Sequence, residues 1–281
     1  MRSALFAFLL LFSLNIFATS TDTDEEHLFV VSGVVINSGT SKKIEKFVEM
    51  IEKKSGYKLK PFYVNSYDRL SETLRNNPDA LAWTCGSVYV QDHIQDRQQL
   101  VAIPLFNNMP TYSSYIVARK DDTRKKLTEF KAASFAYSDI RSNSAYLSFG
   151  ILLKKRGFDI KDFFRVKVHT GTHERSIESV YKGVADIAAI DEYIWVEYLK
   201  TQPYLSKGLH VIEKNGPFPF TPIVAGSGVN RQTLQKVQNS LINMNKTELQ
   251  NFKNDFNMDG FILKDSSFYE PIKQMLTEIS E

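Results

Sequence analysis

The sequence predicts a two-lobed α/β fold with mainly parallel sheets, and three observations carry that prediction. Apolar, β-rich runs alternate with helical patterns almost from end to end, the rhythm of successive strand-helix-strand units. One self-contained set of such units, near residues 134–190, lies between two strand-like runs at which the pattern changes. A chain that leaves one lobe, builds a second and returns has this form. Finally, 281 residues is a length at which a single core gives way to two.

The first segment, Met1 to Ser20, has Arg2 as its only charge, an apolar run from Ala4 to Phe12, and small residues at Ala18, Thr19 and Ser20. This is the pattern of a secretory signal peptide cleaved near Ser20; a membrane span needs roughly 20 uninterrupted apolar residues. An exported, soluble mature chain is expected, without a lipid anchor because no cysteine stands at the cleavage point. Net charge is +3, or +2 without Arg2, a balance that gives no reason to expect nucleic acid or an anionic membrane as partner. Cys85 is the only cysteine, so an exported chain must hold together without an internal disulfide.

Leu28 to Val35 is the first expected strand, followed by a polar turn in which Thr40 or Ser41 can cap a helix with Ile44, Phe47, Val48 and Ile51 on one face. Lys58 to Val64 then reads as a strand, Tyr67 to Leu74 as a helix and Ala80 to Trp83 as a short buried strand. The strand runs Tyr112 to Ala118 and Pro222 to Ala225 flank the inner set, which comprises strands at 134–137, 166–169 and 186–190 and helices near 143–155 and 174–182. Helical patterns at 231–244 and 267–279 close the first lobe. The expected division is thus a leader at 1–20, one lobe from 21–115 plus 226–281, and a second from 116–225, with hinge strands near 112–118 and 221–225.

Three segments can carry chemistry. In Ser138-Asp139-Ile140-Arg141-Ser142-Asn143-Ser144 a buried strand runs through a polar turn into an amphipathic helix. Ser142, Asn143 and Ser144 fall at that helix N-terminus, where free backbone N–H groups and the positive end of the dipole favour an anion; an ordinary N-cap needs only one of them. Thr170-Gly171-Thr172-His173-Glu174 again places a helix start after a strand, with a ring N–H of His173 available to an oxyanion. Ala80 to Tyr89 is a strand ending in a turn where Thr84, Cys85 and Ser87 can face a crevice at a strand carboxyl end. Cys85 reads equally as a small buried hydrophobe.

Together these segments resemble the periplasmic phosphonate-, phosphite- and phosphate-binding proteins of ATP-driven importers. The resemblance runs through NSYDRLSETL, ALAWTCG, YIVARKD, DIRSNSAY, GTHERSIESVYKGVADIAAID and PFTPIVA in order, nearly the whole mature chain. It implies a type II periplasmic-binding-protein fold with the ligand cleft between the lobes. It also implies an oxyanion held by Ser142, Asn143 and Ser144, with Tyr67 and His173 closing over it. Asn143 and Ala145 stand where the family usually has Thr and Gly. Members that bind aminophosphonates present carboxylates to the ligand's ammonium group, and the positions that align with those are Tyr193 and Thr221; Asp191 or Glu192 is the nearest acid. Some relatives sense other oxyanions, including arsenite held through a cysteine, which keeps Cys85 as an alternative contact.

The function expected is capture of a small anionic ligand by a periplasmic monomer that docks on the membrane permease of an ABC importer. The alternative is a sensor that docks on a membrane kinase or cyclic-dinucleotide enzyme. A hydrolase built on Ser142, His173 and Asp191 or Asp186 is the distant alternative, lacking a G-x-S-x-G elbow. No cofactor and no metal are expected, because the five histidines follow no zinc spacing.

Overall fold

A computed structural model describes residues 25–33 and 40–280; the expected leader lies outside the described residues. The chain builds β1 (His27–Ser32), α1 (Ser41–Ser55), β2 (Leu59–Val64), α2 (Tyr67–Asn76), β3 (Leu81–Trp83), α3 (Gly86–Asp96) and β4 (Gln99–Pro104). It then forms β5 (Thr111–Arg119), β6 (Ser134–Tyr137), a π turn over Asn143–Leu147 that continues into α4 (Ser148–Lys154), α5 (Ile160–Phe163), β7 (Val166–His169), α6 (His173–Tyr181), β8 (Ile187–Asp191), α7 (Glu192–Thr201), α8 (Leu205–Gly208) and β9 (Leu209–Pro219). It ends with β10 (Ile223–Ala225), α9 (Arg231–Ile242), α10 (Lys246–Phe256), β11 (Phe261–Ile262) and α11 (Glu270–Ser280).

These strands make two sheets, ordered β11-β4-β10-β3-β1-β2 and β7-β6-β8-β5-β9. In the first, β1 pairs parallel with β2 and β3, while β10 runs antiparallel between β3 and β4 and β11 antiparallel to β4. Strands β1 to β4 therefore all point one way. In the second, β6 is parallel to β7 and β8, and only β5 opposes them. A strand order that does not follow the sequence requires helical crossovers, and these cover the faces of both sheets.

The chain passes between the sheets twice, after β4 and after β9, and the two crossings are tied by the Phe220 N–H to the Pro110 carbonyl at 2.9 Å. Thr111 to Tyr115, expected in the first lobe, pairs in the second sheet as the start of β5. Ile223 to Ala225, expected with the second, sits in the middle of the first. The crossing segments are therefore 105–110 and 220–222, since a strand paired along its length cannot itself be the hinge.

Local sequence explains most elements. Ile44, Phe47, Val48 and Ile51 of α1 are all buried, and the helix ends at Gly56, whose φ of 72° suits glycine and lets its N–H reach the Glu52 carbonyl. Helix α3, like α7 and α10, is absent from the elements expected from periodicity. Val88-Tyr89-Val90 is a β-type run, yet all three are buried in a helix that packs against α11, α2 and the π turn, and that packing overrides the propensity. Close approach of α11 needs Gly86: a Cβ there would stand 2.7 Å from the Ile272 side chain.

The first sheet's core is centred on Phe47, whose ring meets Trp83, Phe252, Phe256 and Phe261 at 5.3–5.8 Å. Truncating a buried aromatic costs about 3–5 kcal/mol. Phe47→Ala is expected to lower the urea midpoint accordingly, whereas the same change at exposed Phe62 leaves it within experimental error.

Candidate functional site

Five helices begin directly beyond the carboxyl ends of strands that point the same way within their sheets: α2 after β2, α3 after β3, the π turn and α4 after β6, α6 after β7, and α7 after β8. Each helix start presents N–H groups that lack intrahelical partners, and each is the positive end of a peptide dipole. Hydrogen bonds show that these starts face one another across the two sheets.

Ser142 is the N-cap of the π turn, its hydroxyl accepting from the Ala145 N–H at 3.2 Å. Its carbonyl accepts from both Tyr146 and Leu147 N–H, at 3.2 and 3.0 Å. This bifurcation marks the widened turn, a feature common at functional sites. Asn143 donates its backbone N–H to Cys85 Sγ at 3.3 Å and its side-chain amide to the Tyr112 hydroxyl at 3.1 Å. Ser144 is fixed from below by Ser114, whose hydroxyl donates to the Ser144 carbonyl at 2.7 Å. All three turn residues are buried.

The first sheet supplies the opposing wall. Tyr67 opens α2, and its N–H donates to Asp139 Oδ2 at 3.2 Å. Burial holds the Tyr67 hydroxyl far above its usual pKa, reinforced by Cys85, Asp139, Tyr112 and Asp191. Cys85 caps α3, with Ser87 Oγ 3.4 Å from its sulfur. Thr84 is fully buried, and its hydroxyl, like Asn143 Oδ1, has no protein partner. Leaving such groups unpaired is costly; the Thr84 hydroxyl can donate to a polar ligand, whereas Asn143 Oδ1 can only accept.

His173 and Asp191 complete the ring. The Asp191 N–H donates to His173 Nδ1 at 3.3 Å, so Nε2 carries the proton and points to Ser138 Oγ at 3.4 Å. Burial depresses the imidazole pKa to about 3, so it is neutral at physiological pH. Asp191 caps α7, its Oδ1 accepting from the N–H groups of Tyr193 at 2.8 Å and Ile194 at 3.3 Å. Burial nonetheless pushes its carboxyl up to about 7 against those two donors. Glu192, the other nearby acid, is turned onto β5, where it accepts from the Ser113 N–H and the Tyr115 hydroxyl.

The structure thus brings Tyr67, Thr84, Cys85, Ser142, Asn143, Ser144, His173 and Asp191 together. Thr221 lies at the crossing and accepts from Trp83 Nε1 at 3.3 Å. Tyr193 offers the cluster only its ring: the hydroxyl donates to the Phe256 carbonyl at 2.8 Å, and the ring packs edge-on to Phe106 and Phe220. The hydrolytic grouping does not assemble. Ser142 Oγ serves its own turn, and Asp186 is held by Arg124 and Ser134. Sequence reasoning missed Tyr112, which touches the turn, because the run Tyr112 to Ala118 reads only as a connecting strand.

No Lys or Arg is buried among the described residues, and no group of His, Cys, Asp or Glu there could hold a metal. Among the same residues, no helix is long and apolar enough to cross a membrane. A surface groove of about 680 Å³ runs outside the turn, between α3, α4 and α11, and shares Ser87 and Arg141 with its outer side. The cluster itself is enclosed.

His173 and Asp191 shape the pH response in opposite senses. A histidine whose folded pKa is depressed from 6.5 to about 3 lends stability above pH 6.5 that is lost as pH falls. A carboxyl raised from 3.8 to about 7 lends stability below pH 3.8 that is lost as pH rises through 7. Between about pH 4 and 6.5 the two slopes, each approaching about 1.4 kcal/mol per pH unit, oppose one another. Asp191→Asn is expected to make stability rise with pH across that window, and His173→Gln to make it fall, relative to the unaltered protein. Chemical denaturation at stepped pH checks both.

Comparison with known proteins shows the family and the fold. The sequence profile of a family described as the periplasmic substrate-binding protein of phosphonate ABC transporters matches residues 37–269. A phosphonates-binding periplasmic protein of Escherichia coli K12 is 24% identical over 251 residues, covering 86% of this chain and 73% of that protein. The fold is shared with a binding-protein component of an ABC phosphonate transporter from Pseudomonas aeruginosa, with a TM-score of 0.80 at 20% identity, over 91% of this chain and 87% of that one. It is also shared with a Prochlorococcus marinus protein solved in complex with methylphosphonate, with a TM-score of 0.78 at 18% identity, over 90% and 98% of the two chains.

Proposed function

Because the chain belongs to the family of periplasmic substrate-binding proteins of phosphonate ABC transporters, we propose that it captures a small phosphonate-type oxyanion between its two sheets and delivers it to an importer permease. The observation that carries this reading is the enclosed convergence of helix N-termini on Ser142, Asn143, Ser144, His173 and Tyr67, with the Thr84 hydroxyl buried and without a protein partner. Backbone and hydroxyl donors bind a tetrahedral anion without any cation, because the dipoles and N–H groups are already oriented. Neutral His173 adds a donor without adding charge.

The headgroup sits on the Ser142–Ser144 turn, and Tyr67 with Thr84 closes over it from the first sheet. A small substituent, hydrogen or a short alkyl group, suits this lining better than an aminoalkyl chain, whose ammonium group needs a carboxylate. Neither Tyr193 nor Thr221 presents a carboxylate, and Glu192 is engaged on β5. Asp191 Oδ1 is taken by two backbone donors. We further propose that residues 1–20 are removed on export and that the mature protein works as a monomer. Because the cluster is closed, entry of ligand requires the sheets to part about the 105–110 and 220–222 crossings, and ligand then stabilises the closed arrangement by its differential affinity.

A thermal-shift panel of methylphosphonate, phosphite, phosphate, aminoethylphosphonate, sulfate and arsenite tests the assignment. Methylphosphonate or phosphite is expected to raise the melting temperature in proportion to the logarithm of its concentration above Kd. No shift with any member, far above plausible dissociation constants, overturns the reading, and a shift with aminoethylphosphonate alone overturns the specificity. Ser142→Ala combined with Ser144→Ala removes two hydrogen bonds to a charged group, at about 1.5–3 kcal/mol each. The shift is expected to vanish, while the ligand-free melting temperature falls by no more than loss of the Ser142 N-cap accounts for, about 0.5–2 kcal/mol.

A further inference from the structure

The tripeptide just before the turn, Asp139-Ile140-Arg141, is wholly explained neither by capping nor by the anion site. Arg141 follows β6 of the second sheet, yet its guanidinium reaches α2 and α3 of the first. It donates from Nη2 to Asp92 Oδ1 at 2.7 Å, from Nη1 to Ser71 Oγ at 2.8 Å and from Nε to Gln91 Oε1 at 3.2 Å. Its carbonyl accepts from Ser87 Oγ at 2.5 Å. Asp139 works in the opposite polarity: Oδ1 accepts from the Arg141 N–H at 2.7 Å, while Oδ2 accepts from the Tyr67 N–H at the start of α2.

Asp92 is the telling partner. It is 1% exposed and already held within the first sheet's own layer by Ser71 Oγ at 2.5 Å and Gln98 Nε2 at 3.1 Å. A carboxylate buried at that depth costs several kcal/mol unless a cation meets it. Among the described residues, the cation paired with it comes from the other sheet. Such pairs contribute little net stability and are best understood as devices that fix one arrangement over others.

We infer that Arg141 is a positioning residue: with Asp139 it forms a clasp across the cleft that populates the closed arrangement and sets the Ser142–Ser144 turn against Tyr67, Thr84 and Cys85. This rests on the proposed capture of an oxyanion by that turn. The apparent Kd is the intrinsic Kd divided by the fraction of molecules in the competent state, so loss of the clasp weakens binding although Arg141 is not assigned a contact with the ligand.

The test uses the mature protein and two readouts, the Kd for methylphosphonate by calorimetry and the rate at which iodoacetamide alkylates Cys85 without ligand. Cys85 is the sole cysteine and is buried behind Asn143, so its alkylation reports opening. Arg141→Met is expected to raise both Kd and the alkylation rate by about tenfold and also to lower the urea midpoint, because buried Asp92 loses its cation; Asp92→Asn, which leaves no charge buried there, separates the clasp from that loss. Arg141→Lys keeps the charge but not the fork and is expected to fall between. Asp92→Asn should match Arg141→Met, and the double variant should be no worse than either. If Arg141→Met does not fold, Arg141→Lys and Asp92→Asn carry the same test. Wild-type alkylation rates in these variants overturn the clasp. If the unaltered protein binds no oxyanion, the capture reading falls, while the alkylation arm, which needs no ligand, still decides the clasp.

Discussion

Every feature of the site follows from one constraint: helices that begin at the carboxyl ends of strands must find partners for their first N–H groups, and here those starts are buried. On an exposed surface water would satisfy them. Inside the closed cleft the protein itself answers most of them, through Ser142 and Ala145, Asp191 and α7, and Asp139 and α2. Two buried side-chain oxygens of the same region, Thr84 Oγ1 and Asn143 Oδ1, have no protein partner.

The absence of a buried Lys or Arg among the described residues decides the character of that binding. A lone cation in this interior would be expensive to desolvate and would hold many anions indiscriminately. Oriented amides and hydroxyls are fixed in direction, so they select by shape and by hydrogen-bond geometry. The titratable groups in the ring have been driven toward neutrality for the same reason: burial drops the imidazole of His173 to about 3 and raises the carboxyl of Asp191 to about 7. Charge is kept one shell further out, in Arg141 and Asp92, where the partners lie on opposite sides of the cleft.

Much of this was legible in the sequence. The alternation of strand and helix patterns foretold the two α/β sheets, and three polar residues at Ser142–Ser144 after a buried strand foretold a helical turn starting there. Helix α3 was hidden because Val88-Tyr89-Val90 favours a strand locally and only its packing against α11, α2 and the π turn makes it helical. Tyr112 was hidden because nothing in a strand sequence tells which loop its side chain will meet. The crossings were misplaced by a few residues, at β5 and β10, because a buried apolar run looks the same in either sheet.

By itself the sequence determined the local preferences: which runs are strands, where helices start, and that Arg141 and Asp139 flank a polar turn. It could not determine that Asp92, 49 residues earlier, waits opposite Arg141, or that Cys85 receives the Asn143 N–H. Nor could it show that the Tyr193 hydroxyl is committed to Phe256. Those contacts depend on how two sheets, joined by only two crossings, come to face one another. Local periodicity encodes the face each side chain presents, and only the tertiary structure decides what that face meets.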